Sequence, residues 1–284
     1  MSKNRRRIAT AATLAIGSLV LAGCTPEAQR GYLPDSAGVT NHTDRIIGLW
    51  TTSWIVLLLV GLLSWGLMAW ALVVYRRRKG ETGLPVQLRY NMPIETLFTV
   101  IPLILVMGFF AFTARDMSAI EAKTENPDVT IEVIGKQWSW DFNYVDENVY
   151  FSGIQAQYTG VEENISETLP TLYLPVNKTV KIDLSSRDVI HSFWVIDFLY
   201  KKDMFPGQTN HMYFTPTKEG TYAGKCAELC GEYHSMMLFQ VKVVSEAEYE
   251  AYVASLAAAG NVGQLSTEYD RNQNLPGGNP EARG

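Results

Sequence analysis

Residues 226–237 read CAELCGEYHSMM. Two thiols, carboxylates, an imidazole and two thioethers share twelve positions near the end of a 284-residue chain. A disulfide, a zinc site, a copper site and one face of a helix all compete for this pattern. On a helical wheel with ~3.6 residues per turn, positions 226, 230, 234 and 237 fall within about 80 degrees, so a helix would gather them on one stripe. The same helix would set Cys226 about 16 Å from Met237 at ~1.5 Å per residue, too far for one centre. A shared site therefore needs a segment that folds back. Gly231 in its middle and the strand-like flanks GTYAGK (220–225) and LFQVKVV (238–244) predict a loop joining two strands.

The chain has three cysteines, and Cys24 is set apart from the other two. Residues 1–23 read as a signal peptide: Lys3 and Arg5 to Arg7, a short apolar run from Ile8 to Leu21, then LAGC at 21–24. The run is too short to span a bilayer easily, so cleavage is expected. LAGC resembles the lipobox of bacterial lipoproteins, which implies that Cys24 becomes the lipidated first residue. A disulfide between Cys226 and Cys230 would close so small a loop that it would constrain the unfolded chain little.

Residues 46–75 contain no charge, and residues 91–115 form a second apolar stretch with one acid before its final arginine, Glu95. Each is long enough to cross a bilayer, for which ~20 residues suffice. The run RRRKG (76–80) between them predicts a cytoplasmic loop, with both mature ends outside. Pro102 inside the second span should bend it. Two such helices make a thin bundle and imply a larger membrane partner.

From 116 the pattern changes to short alternating strands, as in VTIEVIGK (129–136), TLYLP (171–175) and VKIDLSS (180–186). The expected fold is a membrane-anchored all-β protein: a transmembrane hairpin (46–115) after an outer segment (24–45), then a Greek-key β-barrel or sandwich (116–258). The tail 259–284 shows no apolar period and is expected to be disordered. Residues 116–284 carry 24 acids against 12 bases, although the whole chain is only at −5. That field attracts a basic partner and disfavours nucleic acid. No phosphate-cradling glycine loop or nucleophile elbow is present.

A closed zinc site could use Cys226, Cys230, His234 and one distant histidine. Thioether sulfur instead suits copper, whose mononuclear blue sites combine two histidines, one cysteine and a weak methionine. Here one thiolate is surplus, and two thiolates could bridge two coppers. The second imidazole must come from His42, His191 or His211. His191, in DVIHSFWV (188–195), lies on a predicted strand about 35 residues upstream, as a cupredoxin-like site requires.

Taken together, these stretches resemble subunit II of the haem-copper cytochrome c oxidases, from the first span to the last strands. CAELCGEYHSMM matches that family's C-x-E-x-C-x3-H-x2-M signature, DVIHSF its upstream histidine motif, GKQWSWDFNY (135–144) its tryptophan-rich strand and PIETLFTVIP (93–102) the opening of its second helix. The resemblance implies a dinuclear copper centre, CuA, bridged by Cys226 and Cys230 and completed by His191, His234, a weak Met237 and the backbone carbonyl of Glu228. It implies that the Glu228 side chain reaches a magnesium ion shared with subunit I. Trp138 would be the electron entry, with Trp140 a core aromatic, and Glu95 would stand at the mouth of a proton path. The implied partners are subunit I with haem a and CuB, subunit III, and a c-type cytochrome as donor. Gln208 in DMFPGQ (203–208) departs from the family's usual arginine, so a salt bridge expected there is in doubt. The intact ligand set opposes a copper-free quinol oxidase subunit. The nearest rival is a nitrous oxide or nitric oxide reductase component with the same loop, the two spans and Glu228 opposing the former, and a copper-delivery lipoprotein would leave the second span, Glu95 and Trp138 without purpose.

Overall fold

A computed structural model describes residues 25–80, 82–84, 87–156 and 165–268. The signal peptide 1–23, Cys24 and the tail from 269 lie outside the described residues. The chain divides into a helical unit, which contains Ile47–Ala119, and a β unit made of Pro34–Ile46 with the chain from Ile120 onward.

Two long helices dominate the helical unit, α1 (Thr43–Val74) and α2 (Met92–Ile120). Both exceed the predicted spans at an end, and α2 continues through Pro102 as one element. Their apolar stretches are uncovered, with Leu62 at 70% and Leu103 at 59% exposure. In water so large an apolar surface would drive association. In a bilayer it is what a spanning helix presents, so the two helices support membrane anchoring.

The β unit contains β1 (Val129–Lys136), β2 (Ser139–Tyr144), β3 (Val149–Ser152), β4 (Thr171–Pro175), β5 (Val180–Ser186), β6 (His191–Val195), β7 (Tyr200–Met204), β8 (Asn210–Phe214), β9 (Gly220–Cys226) and β10 (Leu238–Val244). They form two five-stranded sheets, ordered β3-β2-β1-β5-β8 and β4-β10-β9-β6-β7. Pairing is antiparallel except for β1 with β5 and β10 with β4. β4 and β5, successive strands in the sequence, fall in different sheets, so the connection at 176–179 crosses the sandwich. Asn177 takes the left-handed conformation there, at φ 60, and its amide donates to the Pro216 carbonyl at 2.7 Å.

Alternation of apolar and polar residues sends Ile131, Val133, Trp140, Phe142, Tyr144, Leu172, Leu174, Ile182, Leu184, Phe239 and Val241 into one core where each is fully buried. Each such side chain contributes roughly 1.5–3 kcal/mol. Helix α3 (Glu246–Ala258) starts at Ser245, whose hydroxyl accepts the Glu248 amide, and buries Tyr249 and Leu256.

Two segments differ from their sequence reading. Pro34–Ile46, expected to be an outer segment of its own, belongs to the β unit: Asn41 donates to the Thr215 carbonyl, Thr217 to the Val39 carbonyl, and Val39 is buried. Residues 259–268, expected to be disordered, follow a fixed path along the β2–β3 side. Residues 261–263 are held by backbone pairing rather than by an apolar face, which leaves no apolar period.

Candidate metal centre

The motif is a β-hairpin loop. β9 ends at Cys226 and β10 begins at Leu238, and these strands pair with Leu238 opposite Lys225. The Cys226 amide donates to the Met237 carbonyl at 3.0 Å, so hairpin pairing brings together residues that a helix would hold far apart. Gly231 at φ 127 allows the reversal between them; a Cβ there would sit 3.1 Å from Gln137 Nε2 and 3.2 Å from Trp138. A single 3-10 turn, His234–Met236, then aims the imidazole back at the sulfurs.

His191 opens β6, which pairs with β9 so that Phe193 faces Cys226. The Ala227 amide donates to the Ser192 carbonyl at 3.0 Å and fastens the start of the loop to this strand. His191 is fully buried. Its ring packs so closely on β1 that a Cβ on Gly135 would come within 2.9 Å of it.

The side chains converge. Donor atoms of His191, Cys226 and Cys230 lie within 4.8 Å of one another. Cys226 Sγ is 3.8 Å from His191 Nδ1, 3.9 Å from Cys230 Sγ and 3.2 Å from the Glu228 carbonyl oxygen. Cys230 Sγ is 3.5 Å from His234 Nδ1 and 3.7 Å from Met237 Sδ. The side chains expected to hold copper, those of His191, Cys226, Cys230, His234 and Met237, are in this cluster. His42 and His211 lie apart from it, bonded to the Tyr213 carbonyl and to Asp183 respectively. The sulfurs stand well beyond the ~2.05 Å of a disulfide, so both cysteines are free thiols.

The two thiols interact strongly. Hydrogen bonding with Cys230 draws the Cys226 thiol well below the ordinary thiol range against the opposing effect of burial. The same bond, with burial, pushes Cys230 well above the ordinary thiol range. Two neighbouring thiolates repel, and a cation held between them favours the ionised form of both. Two thiols, two imidazole nitrogens, a thioether and a carbonyl are a donor set suited to soft copper.

Sequence reading missed the residues that orient His191. Asp188 Oδ1 accepts from His191 Nε2 at 2.8 Å, and Asp188 Oδ2 accepts the Gln137 amide at 2.7 Å. Burial opposes the charged imidazole, but the bonds to Asp188 and Cys226 outweigh it and hold His191 above its ordinary value. An acid three residues before a histidine was the available signal. With Nε2 engaged by the carboxylate, Nδ1 is left facing the sulfurs. The turn after β1 is also bonded to the loop: Gln137 Nε2 donates to the Cys230 carbonyl at 2.8 Å and Trp138 Nε1 to the same oxygen at 3.3 Å.

Trp138 is half-buried and meets Tyr233 edge-on at 4.9 Å, whereas Trp140 is fully buried between His191, Phe193 and Phe239. The Glu228 side chain is exposed. Glu95 lies in the helical unit, where it accepts the Asn91 amide at 2.9 Å while Asn91 Oδ1 accepts the Ile94 amide, a reciprocal cap of α2. Gln208 is exposed in a tight turn with Phe205.

The family model described as "Cytochrome C oxidase subunit II, periplasmic domain" matches residues 129–244. The protein named "Probable cytochrome c oxidase subunit 2" of Streptomyces avermitilis is 42% identical over 95% of this chain and 94% of its own length. That of Streptomyces coelicolor is 39% identical over the same shares. Among solved structures, the periplasmic domain of subunit II of the cytochrome oxidase of Bradyrhizobium japonicum is 31% identical, with a TM-score of 0.44 over 48% of this chain and 99% of that one. With that identity along nearly its whole length, the chain belongs to the cytochrome c oxidase subunit II family and is a subunit of a haem-copper oxidase.

Proposed function

We propose that the chain is the electron-entry subunit of its oxidase and holds the dinuclear copper centre CuA. His191, Cys226, Cys230, His234, Met237 and the Glu228 carbonyl would hold the metals. The convergence of two thiols with both imidazoles is the observation that carries the reading. When bound, the coppers would supply a one-electron carrier.

The chain's own residues do the rest. Trp138, half-exposed and hydrogen-bonded to the carbonyl of Cys230, offers an entry one hydrogen bond from a thiol-bearing residue. Asp188 holds the His191 ring, and Phe193, Phe239 and Trp140 keep the inner side of the site dry. The rim carries exposed Val189, Ile190, Leu229 and Tyr233, an apolar collar suited to another protein. The acidic outer unit favours a basic c-type cytochrome as donor.

Oxygen reduction and proton pumping would then belong to subunit I, with haem a and CuB, in a complex that includes subunit III. The exposed Glu228 carboxylate is free to reach a magnesium ion at the border with subunit I, and Glu95 would serve the proton path. Cleavage after residue 23 and lipid on Cys24 would add a third membrane attachment. Both termini and the β unit would face outward, with 76–90 in the cytoplasm.

Cys226→Ser and His234→Asn should each abolish the copper absorption and cytochrome c oxidation of oxidase purified from membranes. Either variant keeping both would refute the proposal. Trp138→Phe should keep the copper spectrum and slow electron entry; mass spectrometry of the amino terminus tests the lipid.

A further inference from the structure

The chain does not leave the β unit at the end of α3. Tyr150 donates to the Asn261 carbonyl at 3.1 Å, Val262 forms a bridge with Val149, and Gly263 donates to the Asn148 carbonyl at 2.9 Å. Leu265 is 6% exposed. The fully buried Asn143 treats it as a strand partner, accepting its amide at 2.8 Å and donating Nδ2 to its carbonyl at 3.0 Å. One residue on, the Ser266 carbonyl accepts Arg187 Nε at 2.7 Å.

Arg187 is the other end of this attachment. Its side chain is 8% exposed, its Nη1 pairs with Asp141 Oδ2 at 2.8 Å, and its amide donates to the Gly135 carbonyl at 3.0 Å. The next residue is Asp188, which accepts from His191 Nε2. The strap therefore ends on the residue beside the acid that orients a ligand of the copper site.

We propose that the strap Val262–Ser266 is a latch on His191. By holding Arg187 it fixes the turn at 186–189, and through Asp188 it fixes the ring whose Nδ1 faces Cys226. Arg187 is a positioning residue that touches none of the sulfurs. Its planar fork satisfies Ser266 and Asp141 at once through different nitrogens, which the single ammonium of a lysine cannot reproduce. Changing partners behind a metal-binding histidine typically weakens metal affinity by about 10–100-fold. The latch rests on the copper reading, and its test is separable from it.

The test uses oxidase purified from membranes with four forms of this subunit: wild type, a chain ending at Asn261, a chain ending at Glu268, and Arg187→Lys. The readouts are the rate of copper loss to a chelator, the paramagnetic resonance spectrum of the site and the unfolding temperature. The chain ending at Asn261 and Arg187→Lys should both lose copper about tenfold faster, with altered histidine couplings, while the chain ending at Glu268 behaves as wild type. If the shortest chain fails to assemble, Arg187→Lys decides, because it keeps the whole backbone. Wild-type copper loss and spectrum in Arg187→Lys, or in an assembled Asn261 form whose unfolding temperature has dropped, overturns the latch and leaves the strap a brace. A wild-type complex without copper in this subunit would instead overturn the copper reading.

Discussion

The amide of Cys226 donates to the carbonyl of Met237 at 3.0 Å, so the two ends of the twelve-residue motif are neighbours across a β-hairpin. Between them lie loop and one 3-10 turn, and the Cys230 sulfur, the His234 imidazole and the Glu228 carbonyl turn inward because Gly231 lets the backbone reverse against Trp138. The rigidity of the site comes from the strands, not from the motif.

That rigidity extends to His191 through Asp188. Asparagine at 188 has one acceptor oxygen where the carboxylate uses two, for His191 and Val189 on one side and Gln137 on the other. Asp188→Asn should weaken copper retention by about 10–100-fold with the fold intact. Competition with a chelator measures it, and wild-type retention would show that the carboxylate does not position the ring.

Asp141 is fully buried with Lys136 at 2.7 Å and Arg187 at 2.8 Å. Asp141→Ala leaves two cations in the interior without their anion, so unfolding free energy should fall by roughly 3–5 kcal/mol, as for other broken buried pairs. Denaturant titration of the purified protein checks this. The aliphatic double change Lys136→Met with Asp141→Leu should cost less than Asp141→Ala alone, because only Arg187, rather than both cations, is then left without its anion.

Glu95 has a structural duty at the start of α2, accepting the Asn91 amide. Glutamine fulfils the same cap. Glu95→Gln should therefore assemble normally while turnover falls, if the acid carries protons; unchanged turnover would leave Glu95 a cap alone.

His42 anchors Pro34–Ile46 through the Tyr213 carbonyl at 2.9 Å. Burial holds its pKa below the ordinary 6.5, the carbonyl bond and Glu121 pulling the other way and Arg45 lowering it further. A histidine lowered in the folded state keeps its contribution above the unfolded value and loses it as pH falls, because the unfolded chain takes the proton first. Stability should thus decline from pH 6.5 downward toward the folded value. His42→Gln should flatten that decline in unfolding curves taken between about pH 8 and pH 5.

The sequence by itself marked the candidate donors, because soft-metal chemistry draws on thiols, imidazoles and a thioether and two short motifs hold them. It marked the two spans as well, since two mainly apolar stretches, 46–75 and 91–115, are each long enough to cross a bilayer. Only the tertiary structure decided that Asn41 and Ser266, far apart in the chain, both belong to the β unit. Only it revealed that Arg187 and Asp188 stand behind His191. Those positions are fixed by backbone hydrogen bonds and buried ion pairs between distant residues, which leave no periodic trace. The metal motif is legible because its chemistry is local, and its support is not, because the support consists of contacts across the sandwich.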